Sequence, residues 1–260
     1  MSSIRWTKEQ LKLAFYLYCQ LPFGKLHSRN LEIVDLATLL DRTPSAVAMK
    51  LVNFASLDPS ITATGRAGLG NASNLDREVW KEFHANWEAL ATECARLRLR
   101  LRAKHGQAEH VLSEEFELGE LSDFTGETRL ALTSQRIKQQ FFRRAVLSSY
   151  RERCCMSGLS EARLLVASHI VPWSKDKANR LNPSNGLCLS ALHDKAFDCG
   201  LLTLSDDFRI VLSAALQRSD NRFVREVLLP LKGQPIDLPE RFVPDRSLIA
   251  RHRKEVYLDH

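Results

Sequence analysis

The sequence predicts an α+β protein, with a helical N-terminal part and a C-terminal unit that contains two short strands followed by a helix. Apolar residues recur at helical spacing through roughly the first 100 residues, whereas two short apolar runs in the second half have strand character. Between them, residues 111–130 hold one basic residue against six acidic ones and predict a linker. We therefore expect a helical domain at 1–110, a linker at 111–130 and a second domain at 131–260.

Composition indicates an ordinary globular protein. The chain has 260 residues, of which 44% are hydrophobic and 26% charged, which suffices for two modest domains with cores. No apolar run approaches a membrane span and the first residues hold no signal core, so we expect a cytoplasmic location and no membrane partner. The six cysteines lack framework spacing, which suits reduced thiols in that compartment.

The first predicted elements are two helices joined by a tight turn. Residues 31–40 have an amphipathic pattern, and a Thr-Pro pair gives residues 44–52 both a cap and a first helical position. Two helices with a short turn make a helix-turn-helix candidate, in which Lys50, with Ser45 and Asn53, would contact DNA. The alternative is a helical hairpin that only supports its domain.

A longer helix is expected from about Asp76 to Lys104. Its apolar residues alternate spacings of three and four, as in a heptad seam: Trp80, Phe83, Trp87, Leu90, Cys94, Leu97 and Leu101. Such a seam either pairs two chains in a homodimer or packs the helix on its own domain. Two Trp at core positions favour packing within the domain.

A basic helix is expected just before the second apolar region. Residues 135–147 place apolar side chains at helical spacing and arginines mainly on the other faces. Arg143, Arg144 and the nearby Arg151 are therefore candidate contacts to DNA phosphates. A solvated helix face without a binding role is the alternative.

Residues 164–197 read as strand, loop, strand and helix. The runs 164–167 and 186–189 are short and apolar, and the polar stretch 172–185 between them is rich in loop-forming residues. The segment 190–197 begins with a serine that suits an N-cap and continues with helix formers. The order of elements is therefore ββα.

Three polar residues occupy defined places in this ββα segment. His169 follows the first strand, Asn185 ends the loop, and His193 lies in the first turn of the helix. Hydrolysis of a phosphodiester with one metal ion needs a general base and a metal ligand, and two imidazoles can divide these tasks. The Asn185 amide both donates and accepts hydrogen bonds, so it can pin the loop. Taken singly, each histidine is more often a hydrogen-bonded structural residue, and an Asn-Gly pair is more often a turn.

With Asn185 and His193 following His169 by 16 and 24 residues, the segment resembles the HNH endonuclease family over roughly residues 140–212. The resemblance implies a ββα-metal fold in which His169 is the general base, Asn185 the catalytic residue that orders the loop, and His193 a metal ligand. It further implies one divalent metal ion (magnesium, manganese, nickel or zinc) and double-stranded DNA as the partner.

The chain departs from the family pattern at two positions. Ser168 stands where many relatives have a second metal ligand, and Phe197 stands where a second helical histidine often follows. Water, phosphate oxygens or Asp198 are the alternatives for completing the metal shell. The cysteines lack the paired spacing of a zinc knuckle, so none is expected.

These observations predict a metal-dependent DNA endonuclease with an added helical module that binds or positions DNA. A restriction or defence role follows by analogy with HNH proteins of this organisation. A non-catalytic DNA-binding protein or regulator that retains the ββα fold is the competing class. A mobile-element or homing nuclease would share the chemistry and differ in its target.

Overall fold

The computed structural model of the protein describes residues 5–63, 65, 70–105 and 126–259, with side chains from 135 onward in the last range. Contacts divide the chain into two units, 1–144 and 145–260. The described residues form many helices and two small antiparallel sheets, which agrees with the predicted α+β class.

Unit 1 is helical throughout its described part. Its first six α-helices are α1 (Lys8–Gln20), α2 (Leu31–Leu39), α3 (Pro44–Ala55), α4 (Pro59–Thr62), α5 (Asn74–Ala85) and α6 (Trp87–Lys104). Side-chain caps start them: Thr7 and Gln10 form a reciprocal capping box on α1, and Asn30 accepts a backbone N–H of α2. Helix α1 is central, because it packs against α2, α3, α5 and α6.

The helix pair predicted in the N-terminal part is present as α2 and α3. Thr43 accepts the backbone N–H of Ala46 and Pro44 occupies the first turn of α3, as the sequence predicted. In the joining turn Asp41 has a positive φ of 52°, a conformation that Asp tolerates better than most residues. DNA recognition by this pair stays a prediction.

The single long helix predicted at 76–104 is wrong, because the chain breaks at Asn86. This residue has φ −156° and ψ 83°; its backbone N–H bonds to the Glu82 carbonyl, and its side chain accepts the N–H of Ala89 at 3.0 Å. Asn86 therefore ends α5 and caps α6. The apolar spacing misses the break, since it reports which residues are buried and not whether the backbone is continuous.

The predicted apolar seam packs inside its own unit. Phe83 and Trp87 are buried, and the Phe15 ring of α1 meets Phe83 and Phe54 at centroid distances of 4.7 and 5.0 Å. Edge-on aromatic contacts of this kind add to the energy of apolar burial. The seam thus supplies a core, and it gives no support for the predicted homodimer.

Helix α7 (Gly126–Ser149) contains the basic helix predicted at 135–147. The division between the two units falls within it, after Arg144. The linker was predicted at 111–130. Residues 111–125 of it lie outside the described residues, and residues 126–130 form the start of α7. The predicted domain limits therefore stay a prediction.

Unit 2 contains the predicted ββα segment. Strand β1 (Leu165–His169) pairs antiparallel with β2 (Gly186–Ser190), so that Leu165 faces Ser190 and His169 faces Gly186. Helix α8 (Ala191–Asp198) packs against both strands. The first strand begins one residue later than predicted, because Leu164 ends a short 3₁₀ turn and is exposed.

A second hairpin follows the ββα segment. Strands β3 (Leu202–Leu204) and β4 (Ile210–Leu212) pair antiparallel, and the one-turn helix α9 (Ala214–Gln217) comes next. Strands of three residues are too short to show an alternating pattern, so the sequence did not predict them. A C-terminal helix, α10 (Arg246–Glu255), is capped by Asp245 and packs against β3.

Two further expectations bear on the environment of the chain. No described helix combines the length and the apolar character that a bilayer crossing requires. The six cysteines are free thiols, and five of them are buried. The cysteines therefore contribute to packing rather than to a disulfide framework.

Candidate functional site

His169 ends β1 and is held by the loop that follows. Its Nε2 lies 3.0 Å from the Arg180 carbonyl oxygen, and its ring meets the Trp173 ring edge-on at a centroid distance of 5.6 Å. A carbonyl only accepts hydrogen bonds, so Nε2 carries the proton and Nδ1 is the basic nitrogen. The hydrogen bond and the ring contact fix the orientation of the imidazole.

The electrostatics of His169 keep its imidazole neutral near pH 7. Burial lowers the pKa of His169 below its usual value, against smaller raising effects of the Arg180 carbonyl and the Asp194 carboxylate. A neutral imidazole is the form that accepts a proton. Asp194 belongs to the first turn of α8, which packs against β1.

Asn185 ties the two ends of the loop together. Its Oδ1 accepts the Val171 N–H at 2.9 Å, and its Nδ2 donates to the carbonyls of Val171 and Asn179 at 3.1 Å each. Its own carbonyl accepts the N–H of Ile170 at 2.9 Å. The side chain is fully buried. Asn185 therefore fixes the backbone immediately after His169, which is the contact pattern that a loop-ordering role requires.

His193 lies in the first turn of α8 and is buried. Ser190 caps this helix, accepting the His193 backbone N–H at 3.3 Å, and its hydroxyl oxygen lies 3.0 Å from Nδ1 of the same residue. The other ring nitrogen, Nε2, is buried and has no hydrogen-bond partner among the described residues. Buried polar atoms are nearly always paired, so this nitrogen calls for an explanation.

Cys154 makes a second contact to the His193 ring. Its sulfur lies 3.4 Å from Nδ1, and the side chain is buried. Burial raises the pKa of the Cys154 thiol, but hydrogen bonds from His193, Ser157 and nearby backbone N–H groups outweigh it and lower the pKa to about 6. The sulfur is therefore a strong hydrogen-bond acceptor near neutral pH.

A divalent cation fits this site through one imidazole. The unpartnered Nε2 of His193 is a typical metal-binding atom, and the hydroxyl of Ser168 is likewise buried without a partner in the described part of the chain. The described residues contain no group of three or more His, Cys, Asp or Glu side chains placed to hold a metal. The protein therefore offers a partial shell, which leaves several positions for water or substrate oxygens.

Phe197 stands where relatives often place a second helical histidine, and its position is part of the core. The ring stacks on His252 of α10 at a centroid distance of 3.7 Å. Both nitrogens of His252 are engaged, Nδ1 with the Thr203 hydroxyl at 2.8 Å and Nε2 with the Phe197 carbonyl at 3.2 Å. His252 therefore does not replace the missing ligand.

Three of the four predicted DNA contacts, Lys50, Arg144 and Arg151, form ion pairs with carboxylates. The Lys50 ammonium bonds to both carboxylate oxygens of buried Asp76, at 3.0 and 2.8 Å. Arg144 pairs with Glu32, and Arg151 donates to Glu240 at 2.6 Å. A DNA contact through Lys50 would replace a largely buried ion pair, whereas Arg151 keeps more than half of its side chain exposed.

Sequence reasoning missed four residues that hold the two histidines. Arg180 and Trp173 hold His169, and Ser190 and Cys154 contact Nδ1 of His193. Ser190 was predicted only as a helix cap, although a serine three residues before a helical histidine could have indicated the ring contact. The other three contacts join residues that are 4, 11 and 39 positions apart in the sequence, and no local sequence pattern indicates them.

Comparison with known proteins gives one match to a family. A family model described as HNH endonuclease matches residues 154–205, a range that begins at Cys154 and includes β1, β2 and α8. No curated protein matches the chain.

Proposed function

Residues 154–205 belong to the HNH endonuclease family, and we propose from this that the protein is a metal-dependent DNA endonuclease that hydrolyses phosphodiester bonds. The family supports a nuclease-type function and a nucleic-acid substrate. The proposal adds double-stranded DNA as the substrate, a one-metal mechanism, and His169, Asn185 and His193 as the residues that carry it.

His169 acts as the general base. The observation that carries this role is the hydrogen bond from Nε2 to the Arg180 carbonyl, because it leaves Nδ1 as the nitrogen that accepts a proton. Burial lowers the pKa of His169, so the imidazole is neutral at physiological pH and takes a proton from the attacking water. Asn185 supports this step by fixing the backbone of Ile170 and Val171, directly after the base.

His193 would hold the divalent cation through its Nε2, which is buried and has no partner among the described residues. When bound, a divalent cation supplies positive charge that stabilises the leaving oxygen of the phosphodiester. Ser190 and Cys154 keep the imidazole oriented through Nδ1. Ser168 adds a buried hydroxyl in the strand that ends at His169. Substrate phosphate oxygens and water would fill the remaining positions around a bound cation.

Basic side chains in both units bind the DNA backbone in this proposal. Arg143 and Arg144 on α7, Arg151 after it, and Lys50 on α3 are the contacts that the sequence indicates. Lys50 and Arg144 are paired with carboxylates, so each would have to exchange its carboxylate for a phosphate in order to bind DNA. The same proposal includes recognition of DNA by α2 and α3 and a cytoplasmic location. It also includes a restriction or defence role, which rests on analogy alone.

A second candidate function is a DNA-binding protein without catalysis. One observation favours it: the described residues contain no cluster of three or more ionisable ligands for a metal. A chain that lost metal affinity through Ser168 and Phe197 would keep the ββα fold and its contacts to DNA.

A plasmid-nicking assay separates the two candidates. We expect the full chain to cut supercoiled plasmid with magnesium, manganese or nickel, to lose this activity with a chelator, and to lose it in His169→Ala. The matched control is His27→Ala, which removes an exposed histidine of unit 1 and is expected to cut as the wild type does. Cleavage that is absent with every metal, or equal in His169→Ala, excludes the catalytic proposal.

A further inference from the structure

The His193 ring is held at one nitrogen and open at the other. Nδ1 lies 3.0 Å from the Ser190 hydroxyl oxygen and 3.4 Å from the Cys154 sulfur. Nε2 is buried and has no partner among the described residues. An imidazole buried in this way has two neutral tautomers, and the partners of Nδ1 decide between them.

Only one tautomer makes His193 useful as a ligand. With the proton on Nε2, a buried N–H donor lies without an acceptor, which costs about 1–3 kcal/mol, and the lone pair of the ring is on Nδ1, next to Ser190 and Cys154. With the proton on Nδ1, the N–H points to two acceptors and the Nε2 lone pair is available to a cation. Metal-binding histidines usually donate their second ring nitrogen in this manner.

We propose that Cys154 is a positioning residue that accepts a hydrogen bond from Nδ1–H of His193 and so presents the Nε2 lone pair to a divalent cation. The proposal deepens the nuclease function above and rests on it, since it assigns the metal to His193. Cys154 itself has no contact with metal or substrate in this arrangement.

The sulfur of Cys154 is rigidly placed for this task. The backbone N–H of Cys154 bonds to the Leu159 carbonyl at 2.8 Å, and its carbonyl accepts the Gly158 N–H at 2.8 Å. The residue is fully buried. Ser190 shares the task, but its oxygen also accepts the backbone N–H of His193 as the helix cap. The Cys154 sulfur therefore matters as a second acceptor for Nδ1–H, because the Ser190 oxygen already accepts the backbone N–H of His193.

Long-range proton–nitrogen NMR correlations of the imidazoles in the metal-free full chain test the proposal directly. The spectrum reports which nitrogen of His193 carries the proton. We expect Nδ1–H in the wild type and in Cys154→Ser, whose oxygen still accepts, and a mixture with the Nε2–H form in Cys154→Ala. The matched control is Cys155→Ala, which removes the adjacent buried thiol and should leave the His193 signals unchanged.

Metal affinity provides the second readout. Titration with Mn²⁺, followed by electron paramagnetic resonance, should show binding about 10–100-fold weaker in Cys154→Ala and within a few-fold of the wild type in Cys154→Ser and Cys155→Ala. If Cys154→Ala does not fold, Cys154→Val replaces it, because valine fills the space without an acceptor.

The outcomes separate the two proposals. An Nε2–H tautomer in the wild type, or a wild-type spectrum and Mn²⁺ affinity in Cys154→Ala, overturns the role of Cys154. A wild type that binds no divalent ion and cuts no DNA overturns the proposed function instead, while the NMR spectra still decide whether Cys154 sets the tautomer.

Discussion

Two buried histidines of unit 2 differ in what their ring nitrogens contact. His252 of α10 uses both nitrogens in hydrogen bonds and stacks its ring on Phe197. His193 of α8 uses Nδ1 only, and its Nε2 is without a partner among the described residues. A buried polar group that is fully paired stabilises the fold, whereas one left open costs stability unless a ligand occupies it. The difference fits a structural role for His252 and the proposed metal-binding role for His193.

The largest expected effect concerns DNA cleavage. We expect His193→Ala to cut plasmid about 1,000-fold more slowly than the wild type or worse, because bound metal supplies several kcal/mol of transition-state stabilisation. His252→Ala should retain cleavage at temperatures where it is folded. Initial rates of nicking with a saturating metal concentration measure both, and equal losses in the two variants would break the comparison.

The same two variants should reverse their order in stability. His252→Ala loses two hydrogen bonds and a ring stack, so we expect the free energy of unfolding to fall by about 3 kcal/mol. His193→Ala removes a ring that carries an unpaired nitrogen and should cost clearly less in the absence of metal. Urea denaturation of the metal-free proteins measures the difference, and a larger loss in His193→Ala contradicts the assignment.

Acid should destabilise the fold through His252. Burial lowers the pKa of His252 to about 4, with a further lowering effect of Arg253, whereas an unfolded histidine titrates near 6.5. The unfolded state therefore takes up the proton first, so the stabilisation is complete above about pH 6.5 and is lost as the pH falls to about 4, to an extent of roughly 3 kcal/mol.

Unfolding free energies measured at several pH values between 4 and 7 check this slope. His252→Gln cannot titrate and should show a flatter dependence over the same window. An unchanged slope in that variant would assign the acid sensitivity to other groups.

Lys50 extends the comparison to unit 1, since its ammonium is paired with buried Asp76. We expect Lys50→Met to lower the free energy of unfolding by about 2–3 kcal/mol, because it leaves a buried carboxylate without its cation. Urea denaturation measures the loss, and duplex binding by the same variant is the companion assay. Weaker DNA binding with unchanged stability would instead support the DNA contact that the sequence indicates.

The smallest effect is expected for Arg151, whose side chain is mostly exposed although it pairs with Glu240. Arg151→Ala should weaken duplex binding a few-fold and reduce the slope of log affinity against log salt by about one, as loss of one phosphate contact requires. Fluorescence anisotropy at several salt concentrations measures this. An equal change in Arg222→Ala, an exposed arginine paired with Glu226, would indicate a general charge effect rather than a contact.

Local chemistry explains the elements that sequence reasoning placed well. Pro44 and its preceding threonine start α3, and Ser190 caps α8, because a cap acts within three residues of its own position. The three-residue strands of the second hairpin were not predicted, because they are too short to show a local pattern. The break at Asn86 was missed for a different reason: its cap is local, but the apolar seam continues across it and predicted one continuous helix.

The sequence by itself determined the ββα order and the positions of His169, Asn185 and His193, since strand, loop and helix preferences are local and the spacing is fixed along the chain. Only the tertiary structure decided what each imidazole contacts. The Arg180 carbonyl on His169 and the Cys154 sulfur on His193 are contacts between residues 11 and 39 positions apart. Such contacts form only when the segments around β1, β2 and α8 come together in the folded chain, and the proposed tautomers of the two imidazoles depend on them.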